Sequence, residues 1–198
     1  MEIIRLIPLI GFLLFCFQIG FQAFVLLRRG TKLSNRKRSF KTTVSSAFLI
    51  VFFVIFLNEL VYKAGLIQFS ILPDVLQHLL VGKKVLAICG IVLLLLANLS
   101  MLLSLSALNQ SLRFGLNEGN LGKLVISGIY ARSRNPFFLA INCLIVGIAL
   151  VFPTPFFIAI SILALVSIHL FILKEERFMR QNYGEEYNSY AKTVRRYF

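Results

Sequence analysis

The sequence predicts an all-α integral membrane protein. It has five transmembrane helices, the last two forming a proline-broken hairpin, and then a cytoplasmic C-terminal amphipathic helix. Three observations predict this. First, 58% of the 198 residues are apolar and only 15% are charged, against about 25% charged in a typical soluble domain. Second, the apolar residues fall into runs near the roughly 20 helical residues that cross about 30 Å of hydrocarbon. Third, the formal charge of +13 is concentrated between those runs. The 20 Phe residues exclude a disordered basic tail or histone-like binder, because such chains are poor in large apolar side chains.

The first span covers residues 6–27. It is too long for the apolar core of a cleaved signal peptide and ends at Arg28 and Arg29, so it reads as a true span. The second covers residues 44–62 and the third 85–108. The last apolar stretch, residues 137–173, is too long for one crossing, and Pro153 and Pro155 interrupt it. Proline lacks an amide proton and clashes with the preceding turn, so the stretch divides into a short fourth span at 137–152 and a fifth at 155–173. Residues 1–108 form an N-terminal three-helix region and 109–198 the functional core of one compact domain.

Five spans put the termini on opposite sides of the membrane. The first loop, the segment between spans three and four and the C-terminal tail hold 17 of the 21 Lys and Arg residues. Positively charged loops stay in the cytoplasm. The N-terminus is therefore expected outside and the C-terminus in the cytoplasm, with a bacterial inner membrane as the setting. The basic first loop reads as a topology signal and a contact for anionic membrane lipids, so no nucleic-acid partner is expected. Cys16, Cys89 and Cys143 stand far apart in apolar runs. No Cys or His ligand spacing exists, so no metal is expected.

Informative polar residues gather in two strips on the cytoplasmic side, residues 111–136 and 174–198. The hairpin joins them, so both meet at one membrane face. In the first strip Pro136 suits the first turn of the fourth helix and Asn135 its N-cap. Free amides at that helix start suit a carboxylate or phosphate. In the second strip Glu175 and Glu176 follow a long apolar helix. Carboxylates oppose the dipole of a helix that ends there, so either the helix continues or the pair meets a cation such as Arg177 or Arg180. Tyr187, Tyr190 and Val194 share one helical face, as in an amphipathic helix lying on the membrane. His169 precedes Glu176 by seven residues, on nearly the same face of the fifth helix, and Asn142 extends the Asn135 face of the fourth. Intramembrane ionisable residues are functional candidates, so His169 and Asn142 are candidate substrate contacts. Asn58 and Glu59 lie far from this face and read as structural.

Together the strips resemble the isoprenylcysteine carboxyl methyltransferase and phospholipid methyltransferase superfamily, in its bacterial form. The matching elements are Leu124-Val125, Gly128-Ile129-Tyr130, Arg134-Asn135-Pro136 with Phe137-Phe138, Glu175-Glu176, and Tyr183-Gly184 followed by Tyr187 and Tyr190. Ser111-Leu112-Arg113 looks like a further bacterial element. The likeness is specific because order, spacing and the intervening hairpin all agree.

The resemblance implies a methyltransferase using S-adenosylmethionine (SAM) at the cytoplasmic face, with a lipophilic small molecule or lipid as acceptor. Carried over residue by residue, it implies SAM contacts at Leu124, Val125, Tyr130, Arg134, Asn135, Pro136, Phe138, Glu175 and Glu176. The glutamates suit the ammonium or ribose, and Arg134 with the helix-start amides suits the carboxylate. Tyr130 and Phe138 suit adenine or the sulfonium. Arg134, Asn135 and Glu176 are the catalytic candidates. Asn135 stands where relatives carry His, and Phe171 where eukaryotic carboxyl methyltransferases carry an Arg facing substrate. Spans one to three are expected to line the acceptor tunnel, with Ser100, Ser104 and Ser106 permitting close helix approach. Two alternatives are a nicotinamide-dependent membrane reductase of similar architecture and a non-catalytic membrane protein.

Overall fold

A computed structural model describes residues 2–28, 40–108 and 124–197, with side chains of the second helix described from residue 47. Basic residues 29–38 of the first loop and the Ser111-Leu112-Arg113 element lie outside the described residues.

The helices follow the apolar runs closely. In chain order they are α1 (Glu2–Arg28), α2 (Phe40–Lys63), a single turn α3 (Asp74–Gln77), α4 (Lys84–Leu108), α5 (Pro136–Val151) and α6 (Pro155–Thr193). A 3-10 turn, Gly128–Ala131, precedes α5. Among the described residues, three helices are long and apolar enough to cross a membrane: α1, α4 and α6. The exterior is apolar as well: Phe17, Leu95 and Leu163 are more than 60% exposed. A soluble monomer rarely shows so much contiguous apolar surface, so the helices fit an integral membrane protein.

The hairpin forms where the prolines require it. Phe152 ends α5, Pro155 opens α6, and the Thr154 hydroxyl accepts a hydrogen bond from the Phe157 amide. Pro fixes φ without losing a needed donor at that first position. The Leu80 amide donates to Pro153 O and ties the loop after α3 to this turn. Near it, at the α2–α3 connection, Glu59 is fully buried, accepts from Ser70 Oγ at 2.5 Å and lies 3.5 Å from Lys63 Nζ. The Asn58 side chain accepts from the Ile71 amide. Both side chains thus hold the α2–α3 connection.

The tightest packing joins α4 to α5. Buried Gly90, Leu94, Ala97, Met101 and Ser104 recur every three or four residues along α4, and Ala140, Leu144 and Gly147 do so along α5. A Cβ at Gly90 would stand 2.6 Å from Gly147 O, and one at Gly147 would stand 2.9 Å from Gly90 O. The backbones touch there, which only glycine permits. Of the serines expected to permit close approach, only Ser104 lies on this buried face. Ser104 is buried but bonds back to Ser100 O, and Ser106 is exposed and bonds to Leu102 O. Asn98 braces α1 against α4, accepting from Gln18 Nε2 at 3.0 Å and donating to Gly11 O at 3.2 Å.

α6 does not stop where its apolar part does at Leu173. It runs on through Glu175 and Glu176 and bends at Gly184, whose φ of 52° and ψ of −124° favour glycine. The C-terminal tyrosine face was expected on the membrane. Instead, Tyr187 and Tyr190 are buried in the protein, with Tyr190 Oη donating to Tyr130 O at 2.6 Å. The 3-10 turn provides this cover.

Candidate functional site

Both polar strips meet around Glu176, which is only 4% exposed. Three arginines supply its surroundings, two from distant parts of the chain and one from the next helical turn. Arg134 Nη2 lies 3.0 Å from its Oε1. Arg196 reaches it with two hydrogen bonds, Nε to Oε1 at 3.0 Å and Nη2 to Oε2 at 2.9 Å. Arg180, one turn along α6, stands 4.0 Å away at the exposed rim. A paired fork of this kind fixes orientation as well as charge.

The chain beyond α6 folds back to build this arrangement. Residues after Thr193 run beside the start of α5: the Arg134 amide donates to Arg195 O at 3.0 Å, and Asn135 Nδ2 donates to Arg196 O at 3.2 Å. Arg134 Nη1 donates to Ala191 O at 2.8 Å. Asn135 occupies the N-cap position of α5, but its side chain makes no cap. The capping expectation is therefore corrected: the Asn135 amide group holds the returning chain instead. Helices leave their first amides without intrahelical partners, which makes those of Phe137 and Phe138 candidate donors beside Arg134.

The remaining sequence candidates flank this cluster. Tyr130 is 8% exposed in the 3-10 turn, and Pro136 is buried. Phe138 packs against Phe171, with ring centroids 5.4 Å apart. Leu124 and Val125 are half-buried in the extended segment leading to Tyr130. Sequence reasoning missed Arg196, the closest cation to Glu176 together with Arg134; its contact depends on a chain reversal that no local pattern announces.

Charge divides the two neighbouring glutamates. Burial alone pushes the Glu176 carboxyl up, but the Arg196 hydrogen bond and the charges of Arg134, Arg196 and Arg180 outweigh it and hold it below the ordinary carboxylate value. Glu175 is half-buried and pairs with no cation among the described residues. Burial, and then the negative charge of Glu176, push it up to about 7. Burial and the Glu175 charge also raise Tyr130, while burial and Glu176 push Tyr187 up to about 12. These phenols stay neutral.

A cavity of about 600 Å³ adjoins the cluster, one to two helical turns toward the hairpin. It lies mainly between α5 and α6, with Asn142 and Cys143 on one side and Val166 and His169 on the other; Leu93 of α4 and Tyr197 complete it. His169 Nδ1 and Tyr197 Oη are 2.6 Å apart in a hydrogen bond. The structure thus places His169 and Asn142 on one cavity. It also shifts the expected lining: α4 contributes Leu93, and the other lining residues come from α5, α6 and the tail.

A helical membrane scaffold with a charged cluster at the open end of a hairpin, and an apolar cavity beside it, fits a membrane-embedded enzyme of the methyltransferase class. A family model described as phospholipid methyltransferase matches residues 85–186. That covers just over half of the chain, and the chain belongs to this family. No curated protein and no solved structure matches it.

Proposed function

We propose that the protein is a SAM-dependent methyltransferase that works at the cytoplasmic membrane face on a lipophilic acceptor. One observation carries this reading: within the matched family region, Arg134 of one motif strip and Glu176 of the other lie 3.0 Å apart. Two unfilled groups beside them fit SAM. Glu175 is a carboxylate without a cation among the described residues, suited to the methionyl ammonium. Arg134 Nε is buried without an acceptor, suited to the methionyl carboxylate together with the amides of Phe137 and Phe138. Bound there, SAM supplies an activated methyl group on its sulfonium.

The protein's own residues then have distinct tasks. Glu175 binds the donor's ammonium. Glu176 is already engaged by Arg134 and Arg196, so it is a positioning residue that holds Arg134 toward the carboxylate. Asn135 holds the returning chain in place and, lacking a basic nitrogen, takes no proton. Tyr130 and Phe138 offer aromatic surface to adenine or the sulfonium, with Leu124, Val125 and Pro136 closing the pocket. Catalysis rests on alignment of methyl and acceptor.

The reading extends to topology. All five long helices cross, α5 with help from the turns at its ends, since 16 residues span only about 24 Å. The N-terminus lies outside and the C-terminal segment in the cytoplasm. Residues 109–198 form the donor-binding core and residues 1–108 its membrane frame.

Calorimetric titration of the purified protein in detergent tests the proposal. Saturable SAM binding is expected, weakened at least tenfold in Glu175→Gln, about 1.4 kcal/mol. Because a bound cation favours the ionised carboxylate, binding below pH 7 is expected to release a proton and to strengthen as pH rises toward the Glu175 value of about 7. Binding of NADPH but not SAM selects a reductase instead, and binding of neither rejects an enzyme of either kind.

A further inference from the structure

The cavity beside the donor cluster has a chemistry of its own. Among the described residues that line it, none is Lys, Arg, Asp or Glu. An acceptor with a carboxylate or a phosphoethanolamine head would enter it without a counter-charge. Taking an ion out of water without a partner costs several kcal/mol or more. The lining does contain hydrogen-bonding groups, at one end. His169 and Tyr197 form the 2.6 Å pair, and Asn142 has a buried side-chain oxygen with no partner. The α6 side of the cavity is open to the bilayer: Val166 is 54% and Leu170 59% exposed. An apolar molecule therefore has a lateral way in.

The polar end lies toward the donor cluster. His169 precedes Glu176 by seven residues on one helix, a rise of about 10 Å. Tyr197 directly follows Arg196, which binds Glu176. The His169–Tyr197 pair thus stands between the apolar cavity and the charged residues assigned to the donor.

We propose that this cavity takes an uncharged, hydroxyl-bearing apolar acceptor, such as a long-chain phenol, and that His169 receives its proton during methyl transfer. This inference rests on the SAM reading above. In the tautomer whose Nδ1–H donates to Tyr197 Oη, Nε2 keeps a lone pair for the acceptor hydroxyl. The acceptor oxygen forms a bond to the methyl carbon, the carbon–sulfur bond breaks, and the electron pair of that bond stays on sulfur, which becomes a neutral thioether. The hydroxyl proton moves to Nε2. The resulting imidazolium keeps its Nδ1–H bond to Tyr197, so the pair takes up charge without rearranging. Tyr197 is a positioning residue for the ring. Asn142 is the second hydrogen-bonding group for the acceptor head, its side-chain nitrogen donating to the acceptor oxygen.

Protein in lipid nanodiscs tests this with three probes and tritium-labelled SAM: 4-octylphenol, N-acetyl-farnesylcysteine and phosphatidylethanolamine. Transfer to octylphenol is expected, with less than one-hundredth of that rate to the other two. His169→Gln is expected to lower kcat about 100-fold or more with SAM affinity unchanged. Tyr197→Phe is expected to lower kcat with less effect on KM. A readout independent of turnover is octylphenol binding without SAM, corrected for partition into empty discs; Asn142→Leu is expected to weaken it. Comparable transfer to the carboxylate or the amine overturns the proposal, as does full kcat in His169→Gln. SAM binding with no transfer to octylphenol overturns it while the donor reading stands. Failure of the unaltered protein to bind SAM overturns both.

Discussion

At the scale of single residues, adjacent glutamates in one helix have opposite electrostatic fates. Glu176 is enclosed by guanidinium groups and held ionised, whereas Glu175 meets no cation among the described residues. Their effects on stability run in opposite directions with pH. A carboxyl whose folded value is depressed stabilises the fold above its unfolded value, near 4.5, and that stability disappears as pH falls through the folded value. Glu175 has a folded value of about 7, so the folded protein holds a proton that the unfolded chain releases above about 4.5. Its contribution is present below 4.5 and is lost as pH rises to 7. Melting followed by circular dichroism is expected to show a loss of stability between pH 5 and 7 that Glu175→Gln removes. Glu176→Gln leaves Arg134 and Arg196 without their counter-charge and is expected to cost about 3 kcal/mol at neutral pH. Unchanged melting in Glu176→Gln refutes the structural part assigned to that carboxylate.

At the scale of elements, the site depends on how closely α4 can approach α5. The Gly90–Gly147 contact leaves no room for a side chain. Gly90→Ala puts a methyl against a backbone oxygen 2.6 Å away and is expected to destabilise by about 1–3 kcal/mol. Because Leu93 lies one turn further along α4 and lines the cavity, acceptor binding is expected to weaken more than SAM binding. Equal loss of both, measured on the fraction that remains folded, would show that the helix contact does not shape the cavity separately. Much of this level was legible in the sequence. Apart from the far end of α6, which runs on to Thr193, helix ends fell within a few residues of the apolar runs because length and hydrophobicity dominate in a bilayer, and Pro153 and Pro155 marked the hairpin because proline cannot continue a helix. The glycine contact was not legible, since one glycine in an apolar run looks like any other until its partner is known. For the same reason, the polar clamp of Gln18 and Asn98 went unmarked.

At the scale of the molecule, the two polar strips converge as the hairpin demands, and Tyr130, Asn135 and Glu176 all contact the same C-terminal region. The motif residues were legible because their order and spacing carry family information. The closure by Arg196 and Tyr197 was not, because it follows from chain reversal after Thr193 and from the bend at Gly184, where the tertiary contacts of Tyr187 and Tyr190 override a surface-lying helix. The proposed orientation across the bilayer rests on charge placement and has its own test. A green fluorescent protein fused to the C-terminus is expected to fluoresce, and a secreted phosphatase fused there to be inactive. The reverse pattern would move the whole charged cluster to the other side.

The exposed flank of α6 at Val166 and Leu170 has a kinetic consequence. On the proposed function, two substrates arrive through different phases: one by diffusion in three dimensions from water, the other by diffusion in two dimensions within the leaflet. The concentration that governs occupancy of the cavity is then the acceptor's mole fraction among lipids, not its molarity. Diluting the leaflet with inert phospholipid slows the reaction even when every molecule of both substrates is still in the tube.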